Sequence, residues 1–304
     1  MTEKDQFSSQ SIIVKHIVTI GLCVKNNEGT IKETIDSIVS QDFPAENMET
    51  IVVDGCSEDN TLFIIKNILS KSNIQARFYS ENKGLSFARQ MVVNNSKGKY
   101  IIWADGDLIF SKNYLKKQHD FMETHPTAAI VAGIQGVVPN DNWIATLESI
   151  SYVVESLKNV GKKTTNLLGT KGTIFRTKVI KKIGGFDLNI KGSQEDTDLS
   201  YRLSLAGWTF YVNNALFFEN QRTTWNEIWK RHVWYGYGLH FVQHKNKGRN
   251  MFRDKPNDRI ILSSLGYKIT HRKVVFLLPL NFVFKYTALL FGFLKAHLEG
   301  YGHD

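Results

Sequence analysis

Two carboxylates two residues apart, Asp105-Gly106-Asp107, follow the apolar run Lys99–Ala104. With glycine between them to let the backbone turn, both can reach one hard cation. Mg²⁺ and Mn²⁺ prefer oxygen ligands and commonly bridge one or two carboxylates to phosphate oxygens. A dication there would neutralise a diphosphate leaving group, where negative charge develops. Asp-Gly is also a common turn dipeptide, so spacing alone keeps a plain turn as the alternative. No EF-hand loop follows, which argues against calcium. A second acidic pair, Glu195-Asp196, opens a helical stretch after Gly192-Ser193-Gln194. A carboxylate in that place can act as general base on an acceptor hydroxyl. Equally, Ser193-x-x-Asp196 approximates a capping box, and acids favour a helix N-terminus. Asp198, one step round the helix, is expected to face solvent.

Three further groups could bind a ligand. Asp54 sits within Val52-Val53-Asp54-Gly55-Cys56-Ser57 and could accept hydrogen bonds from a base or ribose, or form an Asx-turn with Ser57 capping the next helix. Asn82-Lys83-Gly84 and Arg89 place cations where phosphates could be met, although isolated charges are usually solvated surface. Trp225, Trp229, Trp234, Tyr235 and Tyr237 could stack on a sugar or simply pack.

The elements that must position these residues read as alternating strands and helices. Strands are expected at His16–Val24, Glu49–Val53, Ala76–Tyr79 and Lys99–Ala104, with helices at Thr30–Ser40, Glu58–Leu69 and Leu85–Asn95. That alternation predicts an α/β fold, a mainly parallel sheet flanked by helices. Ligands in such folds sit at the carboxyl ends of the strands, where Asp54, Asp105 and Asp107 fall. Beyond residue 111 the pattern is less regular. Helices are expected at Asn113–Glu123, Ile144–Lys158, Glu195–Ala206 and Thr223 to about His240, and strands at Ala128–Val138, Gly169–Arg176 and Thr209–Asn213.

With 304 residues, 42% of them hydrophobic, and only five prolines, the chain can bury a sizeable core and does not read as disordered. The two cysteines, Cys23 and Cys56, make no disulfide framework, which fits a reducing compartment. Met1–Gln10 is polar and mixed in charge, unlike a secretory signal, so the active part is expected to stay in the cytoplasm. There is no G-x-G-x-x-G after the first strand, no G-K-[ST] loop, no G-x-S-x-G and no His/Cys cluster with zinc spacing.

The net charge of +9 is concentrated: residues 225–273 hold eleven Lys/Arg against three acids. Such a stretch can meet nucleic acid, anionic lipid or a phosphorylated ligand, and no nucleic-acid-binding motif accompanies it. The apolar run Val274–Leu294 follows, long enough for a helix of about 31 Å, but Pro279, Asn281 and Lys285 interrupt it. A lysine at mid-bilayer costs about 2.5–3.5 kcal/mol. On a helix, Asn281, Lys285, Gly292, Lys295 and Glu299 fall on one narrow face, which favours a helix lying in an anionic membrane surface over a spanning one or a soluble core helix.

In order and spacing, Val18–Asn27, Ile51–Thr61, Glu81–Arg89, Gly98–Asp107, Gly172–Asp187 and Glu195–Gly207 resemble the family 2 glycosyltransferases. The resemblance implies the GT-A nucleotide-sugar-binding fold with a C-terminal amphipathic helical extension. It implies a catalytic domain over 16–222, with a nucleotide-binding half 16–110 and an acceptor half 111–222. A polar tail, 1–15, would precede it, and a basic, aromatic helical region, 223–304, would follow, with a membrane-associating segment at 274–298. Asp54, Asn82, Lys83, Gly84, Arg89 and Asp105 would then meet the donor, Asp105 and Asp107 would hold Mn²⁺ or Mg²⁺, and Asp196 would be the catalytic base with Glu195 beside it. Gln221, Arg222 and Trp225 would lie on the acceptor side. The implied reaction is a single displacement with inversion, from a nucleotide-sugar donor to a glycan or lipid-linked acceptor, at the cytoplasmic face of the membrane. Processive relatives carry Q-x-x-R-W, whereas Gln221-Arg222-Thr223-Thr224-Trp225 lacks the Arg before Trp. Many members place a His near positions 219–221, and here stand Glu219-Asn220-Gln221. Two rivals remain: a non-catalytic scaffold of the same fold, against which the intact acids count, and a nucleotidyltransferase, which should carry a Gly-rich basic loop where Lys25-Asn26-Asn27-Glu28-Gly29 stands.

Overall fold

The computed structural model describes residues 17–137, 142–246, 266–268 and 270–302. The expected tail 1–15 and the middle of the basic stretch, 247–265, lie outside the described residues. Four β-branched, apolar strands, β1 (Val18–Val24), β2 (Met48–Asp54), β3 (Gln75–Ser80) and β4 (Tyr100–Asp105), pair in parallel in the order β3-β2-β1-β4. Helices α1 (Ile31–Val39), α2 (Thr61–Leu69) and α3 (Leu85–Asn95) join them. Alternation along the strands splits the core in two. Tyr100, Ile102 and Ala104 meet α1 and α2 on one face, while Ile101 and Trp103 meet α3 on the other. A strand buried on both faces must be apolar throughout, which is why these strands read so clearly.

The second half departs from the expected parallel sheet. β4 pairs antiparallel with β8 (Thr173–Arg176), and β8 antiparallel with β6 (Ala128–Gln135). β6 runs parallel to β9 (Thr209–Glu219), whose other partners are β5 (Leu108–Phe110) and the short β7 (Lys163–Thr164), both antiparallel. The sheet is therefore mixed: β1–β4 pair in parallel throughout, and in the second half only β6 and β9 do. The strand expected at Thr209–Asn213 runs on to Glu219 through an irregular register. α4 (Tyr114–Thr124) packs on the α1 face; α6 (Thr177–Lys182) and α7 (Glu195–Leu205) pack on the α3 face.

α5 (Trp143–Lys158), α8 (Trp225–Lys245) and α9 (Leu278–Leu298) form a helical layer beyond the sheet. Glycines let α8 and α9 approach closely: a Cβ at Gly236 would collide with the Leu289 carbonyl, and one at Gly292 with that of Val233. The narrow polar face of α9 turns partly inward. Asn281 is buried, and Lys285 forms an ion pair with the buried Glu148 of α5. The outward face is apolar, with Leu280 68% and Leu298 85% exposed and Val283, Phe291 and Leu294 between them. The stretch Lys273–Leu298 is long and apolar enough, by length and composition, to cross a membrane.

His232 of α8 is buried, with its Nδ1 2.8 Å from the Ile228 carbonyl. Burial, with Lys285 and Arg231 adding, pulls its ring down to about 4. The unfolded chain therefore binds a proton between about pH 6.5 and 4 that the folded chain refuses, so this contribution is present above that window and lost as pH falls through it. Urea unfolding of the wild type should lose about 3 kcal/mol more than His232→Gln between pH 7 and pH 4; equal losses would contradict this.

Candidate active site

The carboxyl ends of three parallel strands set one edge of the candidate site. Asp54 lies opposite Val24, Asp105 opposite Cys23, and Ser80 opposite Asp54. Asp54 is buried and closes an Asx-turn: the Ser57 amide donates to Oδ2 at 3.0 Å and the Ser57 hydroxyl to Oδ1 at 2.6 Å. Ser57 is thus spent on Asp54 and does not cap α2, whose N-cap is Asn60. Asn82, Lys83 and Gly84 form the exposed turn after β3, where Glu81 Oε2 accepts from the amides of Lys83 and Gly84 at 2.7 and 2.9 Å. Gly84 has φ of +113°, a backbone that only glycine adopts freely.

Arg89 is not the phosphate-facing cation expected of it. Its side chain is 7% exposed, and it meets carboxylates from the end of β4 and from the start of α7. It forms an ion pair with Glu195, donates to Asp105 Oδ1 at 3.4 Å and lies 3.8 Å from Asp196 Oδ2. One buried guanidinium thereby fixes the acid ending β4 relative to the two acids opening α7. Burial pushes the Glu195 carboxyl up to about 7, against the pull of Arg89, and Glu195 Oε2 has no hydrogen-bond partner among the described residues.

The capping box read at Ser193–Asp196 does not form. The residue ahead of α7, Gln194, takes a left-handed φ of 77° and provides no side-chain cap; the Ser193 hydroxyl donates to the Trp234 carbonyl at 3.3 Å. Asp196 is 22% exposed, and its Oδ2 accepts from the Thr170 amide at 3.0 Å. A partly open carboxylate held by a backbone amide is available to accept a proton. Asp198, expected in solvent, is wholly buried between Arg202 and Lys245, each at 2.8 Å.

Around Asp107 the structure assembles Gln221 and Arg222, which the sequence placed on the acceptor side, with Lys171 and Glu219, which it did not assign to the site. The Asn220 amide donates to the Asp107 carbonyl at 2.9 Å, which ties the end of β9 to the acidic turn. Arg222 donates to Asp107 Oδ2 at 2.6 Å. Glu219, fully buried, accepts from Lys171 at 2.8 Å, Gln221 at 2.7 Å and Arg231 of α8 at 3.1 Å. Although burial pushes Glu219 upward, Lys171 and Arg231 hold it well below the usual carboxylate range. Asp107 is raised instead, by burial first and then by the Glu219 and Asp105 charges, which Arg222 only partly offsets. Two carboxylates of one turn, Asp105 and Asp107, form an oxygen-only set that suits a hard dication, so the residues present fit Mg²⁺ or Mn²⁺. Gln221 and Arg222 thus join the acidic cluster. Trp225 does not: its ring packs against Trp143 at 5.5 Å and Phe284 at 4.9 Å.

The family model for glycosyl transferase family 2 matches residues 19–184, and the chain belongs to that family. It is 30% identical over 113 residues to the poly(ribitol-phosphate) β-N-acetylglucosaminyltransferase TarS of Staphylococcus aureus, covering 37% of this chain and 20% of that one. It is 30% identical over 150 residues to the putative teichuronic acid biosynthesis glycosyltransferase TuaG of Bacillus subtilis, covering 48% and 58%. The chain thus spans less than two thirds of the length of either relative. Among solved structures it is similar to the mannosyltransferase PcManGT of Pyrobaculum calidifontis in complex with GDP-Man and Mn²⁺, with a TM-score of 0.59, 18% identity and coverage of 89% and 73%. It is also similar to residues 1–349 of S. aureus TarS with UDP, with a TM-score of 0.51, 17% identity and coverage of 94% and 91%. The fold is GT-A: an α/β mixed sheet flanked by helices, with C-terminal helices added.

Replacing Arg89 by Met strands three acids beside one another. Breaking one side of a buried pair costs about 3–5 kcal/mol, and urea unfolding should show that loss. Adding Glu195→Gln to Arg89→Met should restore part of it. A double variant no more stable than the single would show that the pair is not coupled.

Proposed function

We propose that this chain transfers a sugar from a nucleoside diphosphate-sugar to an acceptor hydroxyl in the synthesis of a cell-surface polysaccharide or lipid-linked glycan, with inversion at the anomeric carbon. The observation that carries this reading is the convergence of Asp105, Glu195 and Asp196 on Arg89, which places a donor-side acid and a base-side acid at fixed separation. Asp54 at the end of β2 would accept from the nucleoside, and Asn82, Lys83 and Gly84 border the same edge. Asp105 and Asp107 would hold Mn²⁺ or Mg²⁺, which when bound neutralises charge on the diphosphate. Arg222, now paired with Asp107, offers a second cation for that charge once a dication competes for the carboxylate. Asp196 would take the proton of the acceptor hydroxyl as that oxygen attacks, and Glu195 holds Arg89 in place beneath it. The GDP-Man and Mn²⁺ bound by PcManGT and the UDP bound by TarS support a nucleotide-diphosphate donor and a divalent metal. The names of TarS and TuaG support a cell-wall polymer as the setting.

The acceptor would approach along the C-terminal helices. A groove of about 520 Å³ between α8 and α9 is lined by Trp229, Trp234, Tyr237 and Phe291 together with Lys230 and Lys295, and it reaches Gly192, three residues before Glu195. Aromatic faces suit sugar or isoprenoid surface, and lysines suit phosphate. The outward apolar face of α9 would lie in the headgroup layer of an anionic membrane at its cytoplasmic face. Spanning is disfavoured because Lys285 would have to leave Glu148. Part of the expected basic surface is already committed: Arg231 pairs with Glu219, and Lys245 with Asp187 and Asp198.

Asp196→Asn should keep metal-dependent nucleotide affinity while transfer falls by about a hundredfold to ten-thousandfold. Transfer at the wild-type rate by Asp196→Asn would overturn its role as base. In sedimentation with vesicles containing anionic lipid, the triple change Phe291→Ser, Leu294→Ser and Leu298→Ser should release the protein to the supernatant. Unchanged sedimentation would defeat the membrane reading of α9.

A further inference from the structure

The i, i+4 pair His240 and His244 has a spacing that zinc ligands use, and the fold brings a third histidine to it at the far end of the α8–α9 pair. His240 and His244 stand one turn apart on α8, and His297 comes from the last turn of α9. One ring nitrogen from each lies within 4.8 Å of the others. We propose that His240, His244 and His297 bind a borderline transition-metal dication, Zn²⁺ foremost, and that the ion fastens α9 to α8.

Geometry and tautomer both favour this. His240 Nε2 and His297 Nδ1 are 3.3 Å apart, close to the edge of a tetrahedron built on Zn–N bonds of about 2.0–2.1 Å. His240 Nδ1 lies 2.7 Å from the Tyr301 carbonyl oxygen. A carbonyl only accepts, so Nδ1 carries the proton and the Nε2 lone pair faces His297, while the His244 ring lies 4.3 Å from the His240 ring. Metal-bound histidines are commonly oriented by such a carbonyl on the second nitrogen. Phe293 packs on the His240 ring at 4.8 Å and His240 is wholly buried, whereas His297 is exposed and leaves a path for the ion. Without metal, the Nδ1–H of His297 donates to His240 Nε2. On binding, the ion would take both lone pairs and the proton held between the two nitrogens would be released to solvent. A third neutral ring, His244, and a water complete four-coordination. Imidazole nitrogens select zinc, cobalt, nickel or copper over magnesium, which separates this site from the oxygen cluster at Asp105 and Asp107.

The test uses the full chain without a polyhistidine tag, stripped with chelator and dialysed against micromolar Zn²⁺ in excess Mg²⁺. One zinc per chain by elemental analysis is expected, and Co²⁺ in its place should give the visible bands of tetrahedral cobalt. His297→Gln, at an exposed position, should weaken zinc binding by at least about tenfold and abolish the rise in Tm that zinc gives the wild type. Asp107→Ala should bind zinc as the wild type does. A wild type that takes up no zinc, or a His297→Gln chain that takes up as much, would overturn the proposal.

Discussion

The Arg89 guanidinium balances carboxylates contributed by β4 and α7, and this one buried cation governs the rest of the site. Without it, Asp105, Glu195 and Asp196 would share a partly dry space without this cation, and repulsion among them would push the start of α7 away from the end of β4. With it, salt bridges fix the spacing between the acid that ends β4 and the two that open α7 before any ligand arrives. That is preorganisation of the kind a displacement reaction needs, since reacting groups must be held close and aligned.

A second balance, around Glu219, ties the helical layer to the site. Lys171 from the loop before β8 and Arg231 from α8 both neutralise Glu219, which sits at the end of β9. Arg222, in the link between β9 and α8, answers Asp107. The C-terminal helices are thereby coupled to the acidic cluster through charge, and α9 is coupled to α8 through apposed glycines and to α5 through Lys285 and Glu148. A helix with an apolar outward face is thus mechanically continuous with the groove beside Gly192.

The first four strands and the acids at their ends could be read from the sequence because local rules suffice there: apolar runs end in Asp-Gly or Asp-Gly-Asp, and helices of regular spacing follow. What could not be read depends on partners distant in the chain. Asp198 looked solvent-facing because Lys245, which buries it, lies 47 residues on. Lys285 looked like a cost inside an apolar run because Glu148 comes from another helix. β9 seemed to stop at Asn213, a turn-like residue. Instead, Asn213 is buried, donates to Gln118 at 3.2 Å and accepts from the Ala215 amide at 3.0 Å, carrying the strand through its irregularity to Glu219. In the histidine cluster only the His240 and His244 pair is local; His297 joins it from 57 residues beyond His240.

The central claim is that the acids gathered by Arg89 and Arg222 serve a nucleotide-sugar donor. The most direct measurement is release of nucleoside diphosphate from a panel of UDP-, GDP- and dTDP-sugars, with Mn²⁺, with Mg²⁺ and with EDTA. The account predicts metal-dependent release from one donor, suppressed by EDTA and abolished in Asp107→Ala. No release from any donor, together with no metal-dependent nucleotide binding by calorimetry, would contradict it and leave a GT-A scaffold without this chemistry.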